Sequence, residues 1–492
     1  MLSKKGMSAA LEAALPRMSR AMEASMAKLG GRILFHQLVQ AAMVLGMAVA
    51  KIYVEEICRV LNLHVRKTSP HCPECKRRME RTRDVEIQPN TAVGVVSIRR
   101  GHYQCARCRG VTRYPFDEQL GLAGQVCESL VRSLALLGAS VPYRMAVWTL
   151  QQLQGVYVSA KTCQARTMEI AHDLVERLDR KVKKFHESVE ERDRVRARAP
   201  QVYRLYISLD GTMTNIRADG WKEIRIGAFW AESEEAARSK IQNHKRRLKG
   251  QRPAPRKRKK KRRRKKPSGG RSDIRYMVRF RSVEEFSRAL YAMAVELGVD
   301  AAQEVVVIAD GAPWIWNLAD ESFPNATKII DWYHAIQRVW KAANAIYQQD
   351  QENAKPWVRS RKKNLLAGRP ELVVRALQQA RRSKKLSVDA AETVRLAIGY
   401  FTEYSDKMDY AAYLNRGCDI GSGRIEAACK RIVGARLKVT GSRWCRENAE
   451  AMAVLRAEML SGRLEALWQE RDRDMLAQAV RKSPRQARSR AA

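Results

Sequence analysis

The chain has 492 residues, of which 93 are Lys or Arg and 52 Asp or Glu, giving a net charge of +41 at neutral pH. A hydrophobic fraction of 45% excludes a largely unfolded chain, and the length suggests about two to four domains. Eleven of the positive charges form one run, Arg256–Lys266, but the excess persists without them, which points to a polyanionic partner, nucleic acid ahead of a membrane surface.

Residues 1–65 read as an N-terminal helical region, broken at Gly30 and Gly31. Its apolar stretch Ile33–Ala50 is interrupted by His36, Gln37 and Gln40, and is expected to be a buried packing helix in place of a membrane span. The opening MLSKKGMSAALEAALPRMSR places charges and a proline where a secretory signal has an apolar block, so a cytoplasmic, reducing setting is expected.

Residues 66–118 carry two pairs, Cys72-Pro-Glu-Cys75 and Cys105-Ala-Arg-Cys108, separated by 29 residues. Four thiolates in two CxxC turns suit a closed tetrahedral Zn2+ site, so a zinc-ribbon module with structural Zn2+ is expected. His71 and His102 lie beside the pairs as alternative ligands. The alternating TAVGVVSIRRGHYQC between the pairs suits a β-hairpin. The module's many arginines leave two roles open: contact with DNA, or a stapled structural knob with a solvated basic surface. The six other cysteines read as packing thiols.

Residues 119–198 return to helical pattern. PYRMAVWTLQQLQ, the link GVYV and SAKTCQARTMEIAHDLVERL form a helix-turn-helix-like segment, with Ser159 as N-cap of the second helix. Lys161, Thr162, Gln164 and Arg166 then lie where a recognition helix meets a major groove.

From Gln201 the period changes. YRLYISLDGT, WKEIRIGAFW and IRYMVRFRS read as strands, VEEFSRALYAMAVELGV as a helix, EVVVIADGA as a fourth strand, PWIWNLADESF as a helix and TKIIDWY as a fifth strand. The order predicts a mixed α/β layer over 199–335. A flexible basic insertion is expected at about 235–272. Residues 336–415 read as helical, 416–465 as a further helical stretch, and 466–492 as a basic tail.

Two strands end on acid-glycine steps, Asp210-Gly211 and Asp310-Gly311, and a later helix carries Glu426 with Lys430, Arg431, Arg436 and Lys438. An ionised carboxylate at a buried strand end needs a partner. Strands lying side by side would bring both acids to one sheet edge. Three carboxylates at one point suit a pair of hard divalent cations acting on a phosphodiester. Trp314 and Trp316 are expected to pack their helix on the sheet.

The segments SLDGT, ADGAPWIWNLA, DWYHA and GSGRIEAACKRIVGARLKVTGSRW stand in matching order over about residues 60–465. In them the chain resembles DDE transposases of bacterial insertion sequences, most closely the ISKra-type group. The resemblance implies an RNase H-like mixed-sheet core with Asp210, Asp310 and Glu426 binding Mg2+ or Mn2+, and an all-helical insertion before the Glu helix. Asp331 and His334 match a D-x-x-H signature, which implies a catalytic contact for His334. Lys430, Arg431, Lys438, Arg443 and Trp444 are candidates for DNA contact. The fold class expected is thus multidomain α+β and α/β. The implied activity is binding of terminal inverted repeats, then metal-dependent DNA cleavage and strand transfer into target DNA. A homodimer or larger assembly in the bacterial cytoplasm, on the nucleoid and with no membrane partner, goes with it. Two alternatives stand beside it: a catalytically inactive DNA-binding derivative of a transposase, and a nuclease without strand transfer.

Overall fold

The computed structural model describes residues 4–27, 34–65, 69–122, 124–250, 274–348, 350–383 and 385–482. The basic run 256–266 lies outside them. The chain divides into two compact units, Met1–Ile170 with Leu464–Ala492, and Ala171–Arg463.

In the first unit the helices Lys4–Ala27 and Phe35–Val65 pack through Ala14, Met18 and Ile52. Arg17 clamps the pair by reaching Glu55 at 2.5 Å and Glu56 at 3.2 Å. The expected burial of the apolar stretch Ile33–Ala50 is not found: none of its described residues is buried, and burial begins further along the helix. Phe35, Leu38, Val39, Met43 and Val44 are exposed, whereas Ile52, Glu56, Cys58 and Asn62 are buried. Among the described residues this is the one helix long and apolar enough to cross a membrane.

The cysteine module contains β1 (Glu80–Ile87), β2 (Asn90–Thr91), β3 (Gly94–Val95), β4 (Ile98–Gln104) and β5 (Thr112–Arg113). The sheet order is β1-β4-β5, all antiparallel, and β2 with β3 makes a separate short hairpin. The expected hairpin over 91–105 is therefore confined to β2 and β3, while β4 turns away to pair with β1. Asn62 donates to the Arg99 carbonyl at 2.5 Å and the Ser97 amide to Glu55 at 3.1 Å, fixing the module on the long helix. Helices Glu128–Ser140, Tyr143–Gln154 and the start of Ala160–Glu187 follow. Ser159 accepts from the Thr162 amide at 3.0 Å, as an N-cap does. The helix Leu464–Lys482 returns to this unit, where Arg471 meets Glu128 at 2.9 Å.

The second unit is built on five strands, β6 (Arg204–Ile216), β7 (Gly220–Glu232), β8 (Ile274–Arg279), β9 (Glu304–Ala309) and β10 (Thr327–Ile330), in the order β10-β9-β6-β7-β8. β7 runs antiparallel to both its neighbours, β6 and β8, and β9 and β10 run parallel to β6. The sheet is mixed, as the strand-helix alternation predicted. The β-branched run of β9 is buried along Val306–Ala309, the pattern of a strand covered on both faces. Helix Val283–Glu296 starts with a full capping box, Ser282 with Glu285, and helix Pro313–Ser322 carries the chain from β9 to β10.

Two expectations change here. β6 does not end on Asp210 but continues to Ile216, held by thirteen paired positions on β7. The flexible insertion does not begin at about 235, because Glu234–Leu248 is a helix. Ser233 caps it, Glu234 and Glu235 occupy its first turn, and Lys245, Arg246 and Arg247 its last, so its charges complement the helix dipole. Helices Trp332–Tyr347, Gln351–Leu366, Pro370–Ser383 and Val388–Glu403 and the short Tyr410–Asn415 make the all-helical stretch after β10. Gly423–Ala428 then runs into a π-helical turn, Cys429–Gly434, and Arg446–Leu460 packs along β8, where Ser461 accepts from the Tyr276 amide at 3.0 Å.

Candidate active site and metal centre

The parallel pairing of β6 with β9 ends at Ser208 opposite Ile308. Side chains alternate along a strand, so two residues further on Asp210 and Asp310 stand level, on the same face. The pairing of β10 with β9 ends at Ile330 opposite Ala309, and Asp331 follows directly. Three acids thus mark one edge of three adjacent parallel strands, where β9 and β10 stop and β6 continues.

Each acid is held differently. Asp310 accepts from the Ala312 amide at 3.0 Å, and Gly311 beside it has φ +108°, a conformation open to glycine. A Cβ on Gly311 would lie 2.9 Å from the Tyr400 ring. The Tyr400 hydroxyl donates to the Asp310 carbonyl at 3.0 Å and the Tyr404 hydroxyl to the Gly311 carbonyl at 2.9 Å. Asp210 accepts from the Cys429 thiol at 3.2 Å. Burial pushes the Asp210 carboxyl up; the bond from Cys429 opposes this, and the nearby Asp310 charge adds to it. The π turn places Cys429 here, an insertion of the kind often found at functional sites.

Asp331 is fully buried and caps helix Trp332–Tyr347. It accepts from the His334 amide at 2.9 Å, from His334 Nδ1 at 2.7 Å and from the Ser422 amide at 2.5 Å. The hydrogen bond to Asp331 raises the His334 pKa against the effect of burial, and the charges of Asp331, Asp310 and Asp210 add to the rise. His334 therefore lies near enough to both strand acids to feel their charge.

Glu426 is not part of this group. It is exposed and bonds Lys430 at 2.7 Å, one helical turn on. Cys429, three residues after Glu426 on the same helical face, is the residue that touches Asp210. The structure sets Asp210, Asp310 and His334 near one another and pairs Glu426 with Lys430 instead. The two aspartates offer hard oxygen donors whose mutual repulsion a divalent cation relieves, a donor set suited to Mg2+ or Mn2+.

Around this edge, Lys438 donates to Thr212 at 2.8 Å. Arg443 is exposed and lines a cavity with Asn215, Arg217, Gly220 and Gly441. Arg431 is exposed. Trp444 is a correction: the residue is only 7% exposed, the Arg436 guanidinium lies 5.2 Å from its ring centroid, and its carbonyl accepts from the Arg217 amide. An enclosed indole offers no face to DNA. Trp316 is buried against Tyr404 and Trp314 packs edge-on against Phe286, so among the described residues the aromatic partners of both tryptophans lie on neighbouring helical segments and not on the sheet. In the first unit Lys161 and Gln164 are exposed on the first turns of their helix, while Arg166 pairs with Glu169 at 2.6 Å.

The thiols of Cys72, Cys75, Cys105 and Cys108 all lie within 4.8 Å of one another, the one such group of His, Cys, Asp or Glu among the described residues. Cys75 and Cys105 are 3.5 Å apart. A tetrahedral Zn2+ site with bonds of about 2.3 Å has sulfur-sulfur edges of roughly 3.8 Å, so the four fit that ion. His71 and His102 fall outside the group, and His102 Nδ1 contacts the Thr82 hydroxyl at 2.6 Å.

Sequence reasoning missed Cys429, Tyr400 and Tyr404. No local motif marks them, because each reaches the acid edge from about ninety or more positions away in the chain.

Residues 268–399 match the model of a DDE family of the ISL3 type, described as transposase. The match supports a DDE transposase of an insertion sequence. It covers Asp310, Asp331 and His334, while Asp210 and Glu426 lie outside it. It names the ISL3 group where the motif pattern resembled the ISKra-type group. No curated protein matches the chain.

Proposed function

We propose that this protein cuts the ends of an insertion sequence at its terminal inverted repeats and joins them to target DNA, using the edge defined by Asp210 and Asp310. What supports the reading is the register of β6 with β9, which ends two residues before Asp210 and Asp310, with His334 near both acids, in a chain of which residues 268–399 match a transposase family. The sheet, three antiparallel strands flanked by two strands parallel to the first, supports an RNase H-like core.

Asp210, Asp310 and Glu426 would hold Mg2+ or Mn2+. Bound there, the ions supply charge that stabilises the attacking and leaving oxygens of a phosphodiester. Asp331 locks the His334 ring with Nδ1 toward itself, so Nε2 is presented to a scissile phosphate oxygen. Glu426 joins when it releases Lys430, which frees the ammonium for the DNA backbone. Lys438, bonded to Thr212 two residues past Asp210, would meet phosphates beside the edge, with exposed Arg431 and Arg443 as further DNA contacts. The zinc-ribbon module, residues 66–118, and the helical region 119–198 with Lys161, Gln164 and Arg166 would recognise the inverted repeats, with helices 336–415 as the insertion. A homodimer or larger assembly on the bacterial nucleoid brings two ends together.

The Glu426–Lys430 pair is the one observation that favours the rival, a DNA-binding derivative without catalysis. A cleavage and strand-transfer assay on labelled element-end DNA with Mg2+, run with Asp310→Asn beside a binding assay, separates them. Wild type that nicks and joins, and a variant that binds without doing either, is the expected result. Wild type that binds correct ends and never cuts them would sink the catalytic reading.

A further inference from the structure

Within the helical stretch after β10, helices Gln351–Leu366 and Pro370–Ser383 are joined by three residues, Ala367, Gly368 and Arg369. Gly368 has φ +69°, and a Cβ there would lie 2.4 Å from Asp409 Oδ1, so the tight turn depends on glycine. Two helices on a short glycine turn are the framework of a helix-turn-helix.

The second of these helices has two unlike faces. Val373, Leu377 and Ala380 are buried against the bundle. Arg375, Gln378, Gln379 and Arg382, spaced i, i+3, i+4 and i+7, are exposed and together line a shallow concavity. Residues 351–385 contain eleven Lys or Arg and two Glu, so the segment calls for an anionic partner. On the neighbouring helix Arg395 is neutralised by Glu392 at 2.7 Å. Arg375 and Arg382 make no ion pair among the described residues. The acid on the same face, Glu371, sits in the first turn, where the helix dipole favours it.

We propose that Gln351–Leu366 and Pro370–Ser383 form a second DNA-reading helix-turn-helix, distinct from the one expected at 143–175. In it Arg375, Gln378, Gln379 and Arg382 enter the major groove of the element-end duplex. This rests on the transposase reading. Seven residues of helix advance about 10.5 Å, close to three base-pair steps of roughly 3.4 Å each, and the major groove, about 12 Å wide, admits a helix. Arginine forks onto guanine O6 and N7, and glutamine onto adenine N6 and N7. A face with both reads sequence, which suits fixed element ends and not variable target DNA. Arg359 and Lys363, exposed on the preceding helix, meet the phosphates, as the first helix of such a motif does.

The test uses the full chain and two double variants, Arg375→Ala with Arg382→Ala, and Gln378→Ala with Gln379→Ala. Affinity is measured for a labelled element-end duplex and a scrambled duplex of equal length, across a salt series. All four residues are exposed, so circular dichroism and melting should match wild type. The arginine variant should lose roughly tenfold or more on element ends, and the glutamine variant should lower the ratio of end to scrambled affinity. Unchanged affinity of both variants for both duplexes overturns the proposal, and so does an equal loss on both duplexes, which would mark a backbone or target-DNA surface. Wild type that binds neither duplex would instead overturn the transposase reading itself.

Discussion

The Tyr400 hydroxyl donates to the backbone carbonyl of Asp310 at 3.0 Å, across ninety residues of chain. Tyr404 does the same for Gly311, Tyr410 for Ile330 at 3.0 Å and Tyr413 for Lys328 at 3.2 Å. The helices after β10 thus hold the ends of β9 and β10 by four phenols. Tyr400→Phe with Tyr404→Phe keeps the rings and removes two hydrogen bonds, at about 1 kcal/mol each. The expected outcome is a melting temperature lower by a few degrees and DNA cleavage slowed roughly tenfold, with DNA affinity unchanged. Cleavage at the wild-type rate would show that the phenols do not position Asp310.

Asp210 is half-buried, its carboxyl is pushed up first by burial, and Asp310 adds like charge. An arrangement of this kind gives up stability for function. Asp210→Asn removes the charge and keeps the shape, so without divalent ions it should melt at or above the wild-type temperature. Added Mg2+ or Mn2+ should raise the wild-type melting temperature and leave the variant unmoved. Equal cation-induced shifts in both proteins would remove Asp210 from the metal-binding set.

Much of this edge is legible in the sequence. The run EVVVIA announces a doubly covered strand, and the repeated Asp-Gly steps announce two acids in similar backbone settings. The level placement follows from strand register, which pairing partners decide, and so became visible only with β6 beside β9. Asp210 looked like a strand end because glycine follows it, yet β7 carries β6 six residues further. The helix Glu234–Leu248 was obscured by the basic run after it, although its cap and charge gradient are local signals. Glu426 was identifiable as a helical acid, but its choice of Lys430 over the strand acids is a side-chain matter that spacing leaves open.

Arg204 opens β6 and is 1% exposed. It bonds Glu232 on β7 and Glu304 on β9, each at 2.7 Å, and the Arg416 carbonyl at 3.0 Å. Burial opposes its charge, but Tyr206, Cys418 and Glu304 outweigh this and raise its pKa. Removing one partner leaves a buried charge uncompensated, at a cost of about 3–5 kcal/mol. Glu232→Gln should therefore lower denaturant resistance strongly, whereas Arg204→Met combined with Glu232→Leu should recover much of the loss. A small effect of Glu232→Gln would mean that Glu304 and the carbonyls suffice alone.

The Asp331–His334 pair makes stability depend on pH with a definite sign. Burial alone would raise the Asp331 carboxyl, but hydrogen bonds from the His334 ring, the Ser422 amide and the His334 amide hold it below its ordinary value of 3.8. A depressed folded pKa contributes stability that is fully present above the unfolded pKa and is lost as pH falls through the folded one. His334 shifts upward, so its share is full below its ordinary value of 6.5 and fades as pH rises through the raised value. The coupling is therefore strongest between these limits, in mildly acidic solution. Asp331→Asn should destabilise the protein most there. The deficit should shrink at strongly acidic pH, where the wild-type carboxyl is protonated, and also at alkaline pH, where His334 is neutral. Chemical denaturation of both proteins across pH measures the difference, and a deficit independent of pH would show that Asp331 acts only as a helix cap.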